Sequence, residues 1–173
     1  MTRGKSMTFL ASLAALPLAA VALAGCGSAS ASPAPPTTAS GKPATVGIAN
    51  SSIGKILVNS KGRTLYLFQK DTGARSACTG ACAKNWPPLL ASGKPTLGSG
   101  ARASLIGTAN RSAGRPQVTY NGHPLYLFVG DHKAGDTNGQ GVNAFGAGWY
   151  ALSQAGAQVT ASPSISSGGG GGY

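Results

Sequence analysis

The sequence predicts an all-β domain of two hairpin or meander repeats, each about 60 residues, packed as one small domain. Three observations carry this. Sliding the chain by 60 residues aligns Gly47–Asp71 with Gly107–Asp131 without a gap, and twelve of the 25 positions are identical, among them Leu65-Tyr66-Leu67-Phe68 against Leu125-Tyr126-Leu127-Phe128. An Asn121-Gly122 pair separates two β-rich runs, Gln117–Tyr120 and His123–Phe128, and Asn-Gly is the strongest short-range signal for a tight hairpin, because both central residues need positive φ. No amphipathic helical run of ten or more residues follows Cys26.

The elements follow in order. Val46–Asn50 supplies a first strand, and Lys55–Asn59 and Thr64–Phe68 form the first hairpin around Lys61-Gly62. Leu105–Asn110 repeats the first strand ahead of the second hairpin. Pro124 lacks an amide, so it belongs at a strand start or an edge. Strand alternation sends the two Leu of each Leu-Tyr-Leu-Phe run to one face and Tyr and Phe to the other, so the aromatics read first as core. With a three-residue shift Trp86 answers Trp149, so each unit ends in a polar loop and a Trp. Two such units pack together when neither can bury its apolar face alone.

The N-terminus reads as an export signal. Arg3 and Lys5 precede the apolar run Met7 to Leu23, which ends in Leu23-Ala24-Gly25-Cys26. Pro17 and the Gly-Cys end fit a permanent membrane helix poorly, because a span takes about 20 clean apolar residues. The tetrapeptide resembles the lipobox of bacterial lipoproteins, which implies cleavage before Cys26 and lipid on its thiol. The expected organisation is therefore a signal peptide over 1–25, a lipidated Cys26 with a Pro, Ser and Ala tether over 26–45, repeat 1 over 46–104, repeat 2 over 105–160, and a Gly-rich disordered tail over 161–173. The expected location is the outer face of the cell membrane.

With Cys26 lipidated, Cys78 and Cys82 remain as a pair, and an oxidising compartment favours a disulfide across Cys-Thr-Gly-Ala-Cys. The alternative is a redox or copper site in which His123 or His132 joins the two sulfurs. No Cys-x-x-Cys-His haem motif is present.

The repeated Tyr-x-Phe-x-x-Asp (Tyr66, Phe68, Asp71 and Tyr126, Phe128, Asp131) resembles the motif of a bacterial family, the secreted repeat of unknown function, a group of exported proteins predicted to be lipoproteins. So do Cys78, Gly80, Cys82, Ala83, Trp86, Pro87 and Pro88 after the first copy, and Gly135-Asp136-Thr137-x-Gly139-Gln140-Gly141 before Trp149 after the second. The resemblance covers residues 46 to 153. It implies export and a repeat architecture, and no activity.

The chain has no Glu and three Asp, which are Asp71, Asp131 and Asp136, all in or just after the motif. Their first reading is turn chemistry, each accepting backbone amides or pairing with a cation such as Lys70 or Arg75. A sparser reading places a metal at Asp131, Asp136 and Asn138, although the ligand series and closing Glu of an EF-hand loop are missing. A Gly-x-Ser-x-Gly elbow is also missing, and no catalytic residue or cofactor is expected. Without Arg3 and Lys5, twelve Lys and Arg face three Asp, a net charge of +9. Such a body attracts anionic wall polymers or phospholipid headgroups, and export argues against nucleic acid. The oligomeric state is open. The sequence thus points to a non-catalytic binding or structural module, with redox or metal handling as the alternative.

Overall fold

The computed structural model describes residues 42–112 and 114–161. The expected signal peptide, Cys26, most of the tether and all but the first residue of the tail lie outside them.

Nine short strands carry the fold: β1 (Thr45–Ser51), β2 (Gly54–Asn59), β3 (Tyr66–Phe68), β4 (Thr96–Leu97), β5 (Ile106–Ala109), β6 (Gln117–Tyr120), β7 (His123–Pro124), β8 (Val142–Ala144) and β9 (Ala147–Ala151). One five-residue helix, α1 (Ala81–Asn85), follows the start of the disulfide loop, and a 3₁₀ turn covers Ala103–Leu105. The strands form three three-stranded sheets, ordered β2-β1-β4, β3-β9-β8 and β5-β6-β7. All pairs are antiparallel except β1 with β4. The all-β expectation holds.

Both hairpins form, but with different turns. In the second, Asn121 (φ 50°) and Gly122 (φ 77°) both take positive φ between the paired Tyr120 and His123, as a two-residue turn requires. In the first, the loop is one residue longer than the gapless alignment implies. Asn59 N–H donates to Arg63 O at 2.9 Å, Gly62 takes φ 71°, and the Asn59 Oδ1 accepts the amides of Lys61 and Arg63. The extra residue is offset in the preceding connection: Ala49 pairs with Ile56 in the first repeat, whereas Ala109 pairs with Gln117 in the second. Val58 is therefore not the structural mate of Val118, although the two are identical in the alignment. Leu57 is: Leu65 N–H donates to Leu57 O as Leu125 N–H donates to Val118 O. Because side chains alternate with period two, a one-residue slip reverses the face, and Val58 duly packs in a different cluster from Leu57 and Val118.

The last strand of each hairpin is shorter than the pattern predicts. Only Thr64 bridges back to Val58, and only His123 and Pro124 pair with β6. Pro124 sits in β7 at the edge of its sheet, where its missing donor is harmless. Beyond these points each Leu-Tyr-Leu-Phe run leaves its own hairpin and crosses to the other repeat. β3 pairs with β9, as Phe68 faces Trp149, while Leu127 N–H donates to Pro87 O and Leu89 N–H to Leu125 O. The repeats are interlocked, each completing the other.

Alternation along the crossing runs builds two cores. Leu65, Leu67 and Leu125 join Val46, Leu57, Val118, Tyr120 and Leu152 in one. Tyr66, Phe68 and Tyr126 join Ile56, Val58, Trp86, Trp149 and both cysteines in the other. Beside the β1–β4 contact two glycines meet: a Cβ on Gly98 would stand 3.0 Å from Gly47 Cα, so a side chain there would require the backbone opposite to give.

Candidate functional site

The motif residues assemble where the two repeats meet. Tyr66 N–H donates to Tyr126 O at 2.9 Å, and Tyr126 N–H donates to Tyr66 O at 3.0 Å, a reciprocal pair that brings the two motifs face to face. Each tyrosine then reaches across. The Tyr66 hydroxyl donates to Asp131 Oδ2 at 2.8 Å, and the Tyr126 hydroxyl donates to Asp71 Oδ2 at 2.8 Å. The motif Tyr of one repeat is thus held by the motif Asp of the other.

The remaining carboxylate oxygens secure the loops. Asp131 Oδ1 accepts Asn138 N–H at 2.9 Å, and Asp71 Oδ1 accepts Ala77 N–H at 2.8 Å. These acceptors fit the expected turn chemistry, with the amides lying further along the chain than the next turn, and neither Lys70 nor Arg75 is a partner in them. Burial raises Asp71 and Asp131 above the ordinary carboxylate range, against the pull of these hydrogen bonds. Burial likewise pushes both tyrosine hydroxyls up, and each neighbouring carboxylate adds to the effect, so both remain protonated donors.

The aromatic side chains stack across the same junction. Trp86 and Trp149 lie face to face with centroids 3.9 Å apart and planes 6° from parallel. Phe68 stacks on Trp149 at 4.0 Å and Phe128 on Trp86 at 4.3 Å, so four rings from alternating repeats form one column. Tyr66 meets Trp86 edge-on, and Tyr126 meets Trp149 likewise. Aromatic pairs in stacked and edge arrangements contribute roughly 0.5–1.5 kcal/mol each beyond area burial.

Cys78 and Cys82 form a disulfide with Cα atoms 5.3 Å apart, and both are buried. Asp131, Asp136 and Asn138 are each tied into hydrogen bonds within their loop. Asp136 Oδ2 accepts the amides of His132 and Lys133, which lower its pKa below the usual carboxylate range, and Asn138 Nδ2 donates to Gly130 O. Among the described residues no three His, Cys, Asp or Glu side chains gather as a metal site would require.

Several residues to which the sequence assigned no individual role hold this junction. Gly139 N–H donates to the Tyr66 hydroxyl at 3.2 Å, and a Cβ there would stand 2.8 Å from Trp86 and from Tyr66. Arg111 donates to Ser76 Oγ at 2.8 Å, to Cys78 O at 2.7 Å and to Gln117 Oε1, and Ser76 Oγ lies 2.8 Å from the Tyr126 hydroxyl. Arg63 donates to Phe128 O at 3.0 Å. Spacing from the motif was the only available signal, and it does not single these residues out.

No curated protein and no solved structure matches the chain. A family model described as a secreted repeat of unknown function matches twice, over residues 47–90 and 107–153, one match for each of the interlocked units. Together the matches cover more than half of the sequence, and the chain belongs to that family of secreted repeats, an exported protein with an all-β fold and an internal disulfide.

Proposed function

We propose that this protein is a lipid-anchored envelope protein whose two-repeat domain is a non-catalytic binding module for anionic surfaces, with phospholipid headgroups or wall polymers as partners. One observation carries the reading. Ten of the twelve Lys and Arg that follow the expected signal peptide are exposed, whereas none of the three Asp is: Asp131 is buried, and Asp71 and Asp136 are partly covered. The exposed charge is therefore almost wholly cationic, because the carboxylates are turned to internal bonds. The motif supports the same view, since both Tyr hydroxyls and all four oxygens of Asp71 and Asp131 are engaged within the domain.

Lipid on Cys26 would hold this cationic body at the membrane, and one acyl signal combined with basic charge anchors more firmly than either alone. The test is sedimentation of the processed protein with vesicles of phosphatidylcholine, alone or mixed with phosphatidylglycerol. A Cys26→Ala variant with an alternative export signal separates anchor from charge. That variant is expected to leave the membrane fraction in cells, yet to bind phosphatidylglycerol vesicles at low ionic strength and to release from them as salt rises. Equal binding to both vesicle types would remove the anionic partner, and a wild-type mass without lipid would remove the anchor.

A further inference from the structure

Beside the disulfide loop lies a cleft of about 160 Å³, lined by Arg75, Ser76, Thr79, Asn110, Arg111 and Ser112. Every lining side chain is a hydrogen-bonding group, two are guanidinium ions, and none is a carboxylate. Asp71, whose carboxyl group lies nearby, is engaged with Tyr126 and Ala77.

Arg111 gives the cleft a fixed cation. It is half-buried, and three acceptors hold it: Ser76 Oγ, Gln117 Oε1 and Cys78 O. A guanidinium has five N–H donors, so these bonds orient the group and leave donors over. Gln117 is itself fixed, because its Nε2 donates to Leu125 O at 2.8 Å. The Cys78–Cys82 bond closes the loop whose carbonyl Arg111 grips, so the disulfide stiffens the wall that carries Ser76 and Thr79. Arg75, the residue before Ser76, is exposed and closes a tight turn in which Thr72 and Arg75 exchange backbone hydrogen bonds.

We propose that this cleft binds a phosphate ester, with Arg111 as the preset cation, Arg75 as the exposed clamp, and the Thr79, Ser112 and Asn110 side chains as donors to the remaining oxygens. Guanidinium groups match phosphate oxygens in pairs, and charge-assisted bonds of this kind are the strong ones. The 60-residue offset sets Ser51 opposite Arg111 and Gly135 opposite Arg75, so the repeat-related position has neither arginine and the described residues offer this pair of guanidinium groups once. The inference rests on the anionic-surface reading above and gives that reading a defined seat.

The experiment takes the full-length exported Cys26→Ala protein, free of detergent, as the wild type for the native cleft and compares it with the same protein carrying Arg75→Gln or Lys61→Gln, the latter removing the same charge from an exposed site elsewhere. Two probes are used, soluble glycerol 3-phosphate by calorimetric titration and phosphatidylglycerol vesicles by sedimentation. Wild type is expected to bind one glycerol 3-phosphate per chain, Arg75→Gln to bind it about tenfold more weakly, and Lys61→Gln to match wild type. A parallel loss on the vesicles would identify a lipid headgroup as one source of the ester. Arg111→Lys, which keeps the charge but loses the planar fork, is expected to lose glycerol 3-phosphate binding while retaining vesicle attraction. If Arg75→Gln and Lys61→Gln behave alike while vesicle binding persists, attraction is diffuse and the cleft is overturned alone. If wild type binds neither probe, the cleft and the anionic-surface reading fall together.

Discussion

The crossed Tyr–Asp bonds are chemically identical but differ in burial, and that difference sets an order of effects. Removing the Tyr66 hydroxyl with Tyr66→Phe deletes a donor to a carboxylate and an acceptor for Gly139 N–H. Hydrogen bonds to charged groups contribute roughly 1.5–3 kcal/mol, and the cost rises when the abandoned partner cannot be rehydrated. Asp131 is 1% exposed, so its Oδ2 would be left without water, and the loss should reach about 3 kcal/mol. Tyr126→Phe abandons Asp71, which is only partly covered, and water can take the place of the hydroxyl, so the loss should be about 1–1.5 kcal/mol. The assay is urea unfolding followed by the fluorescence of Trp86 and Trp149, the only tryptophans, both buried in the junction. Adding Asp131→Asn to Tyr66→Phe closes a double-mutant cycle and isolates the pair from the rest of the cluster. The reasoning is refuted if Tyr126→Phe costs as much as Tyr66→Phe, or if both cost less than about 0.5 kcal/mol.

Gly139→Ala should destabilise by about 1–3 kcal/mol, because its Cβ meets two packed rings rather than a flexible side-chain end; a thermal melt indistinguishable from wild type would show that the rings yield freely. Replacing Cys78 and Cys82 together by Ser should lower stability by about 2 kcal/mol, the low end for a disulfide closing so short a loop, without changing the bound metal content, and a protein that loses metal instead would revive the copper reading. Acid should first stabilise and then destabilise the domain. Asp71 and Asp131 have raised native pKa values, so their contribution is full below the unfolded value of about 4 and is lost as pH rises through the native values. Asp136 is lowered and acts in the opposite sense, its contribution being lost as pH falls below about 4. The urea midpoint should therefore rise from neutral pH towards about pH 4, and a monotonic fall over that range would contradict the burial of the motif carboxylates.

Much of the fold was legible because its signals are local. Asn121-Gly122 sets a turn through its own backbone preferences, and the alternation in Leu-Tyr-Leu-Phe sorts side chains between two cores without reference to any partner. The crossing was not legible, because it joins residues 65 and 55 positions apart, and the same Tyr and Asp would satisfy a sequence reader equally well within one repeat. Nor was the slip between the hairpins: one residue gained in the first turn and one in the connection before the second cancel, leaving an alignment with no gap to betray them. Arg111 was passed over, and Gly139 had no role beyond its place in the motif, because a glycine among 27 and an arginine in a basic chain carry no signal until their neighbours are known.

The crossing also explains why the motif takes the form it does. A Tyr in a buried aromatic column needs an acceptor for its hydroxyl, and a buried Asp needs donors for both oxygens. Tyr66 bonds to Asp131 and Asp71 to Tyr126, so within one repeat neither has its partner; the second copy supplies each. One repeat by itself would expose the face of its Trp and leave both polar groups without their partners, two penalties that pairing removes together. A chain carrying only residues 42–104 should therefore remain unfolded at concentrations where it is monomeric, and should gain structure only by pairing with a second copy, through the same reciprocal Tyr backbone bonds. Circular dichroism against concentration tests this. A folded monomeric half would show that the interlock is an embellishment of the repeat and not the condition for its folding.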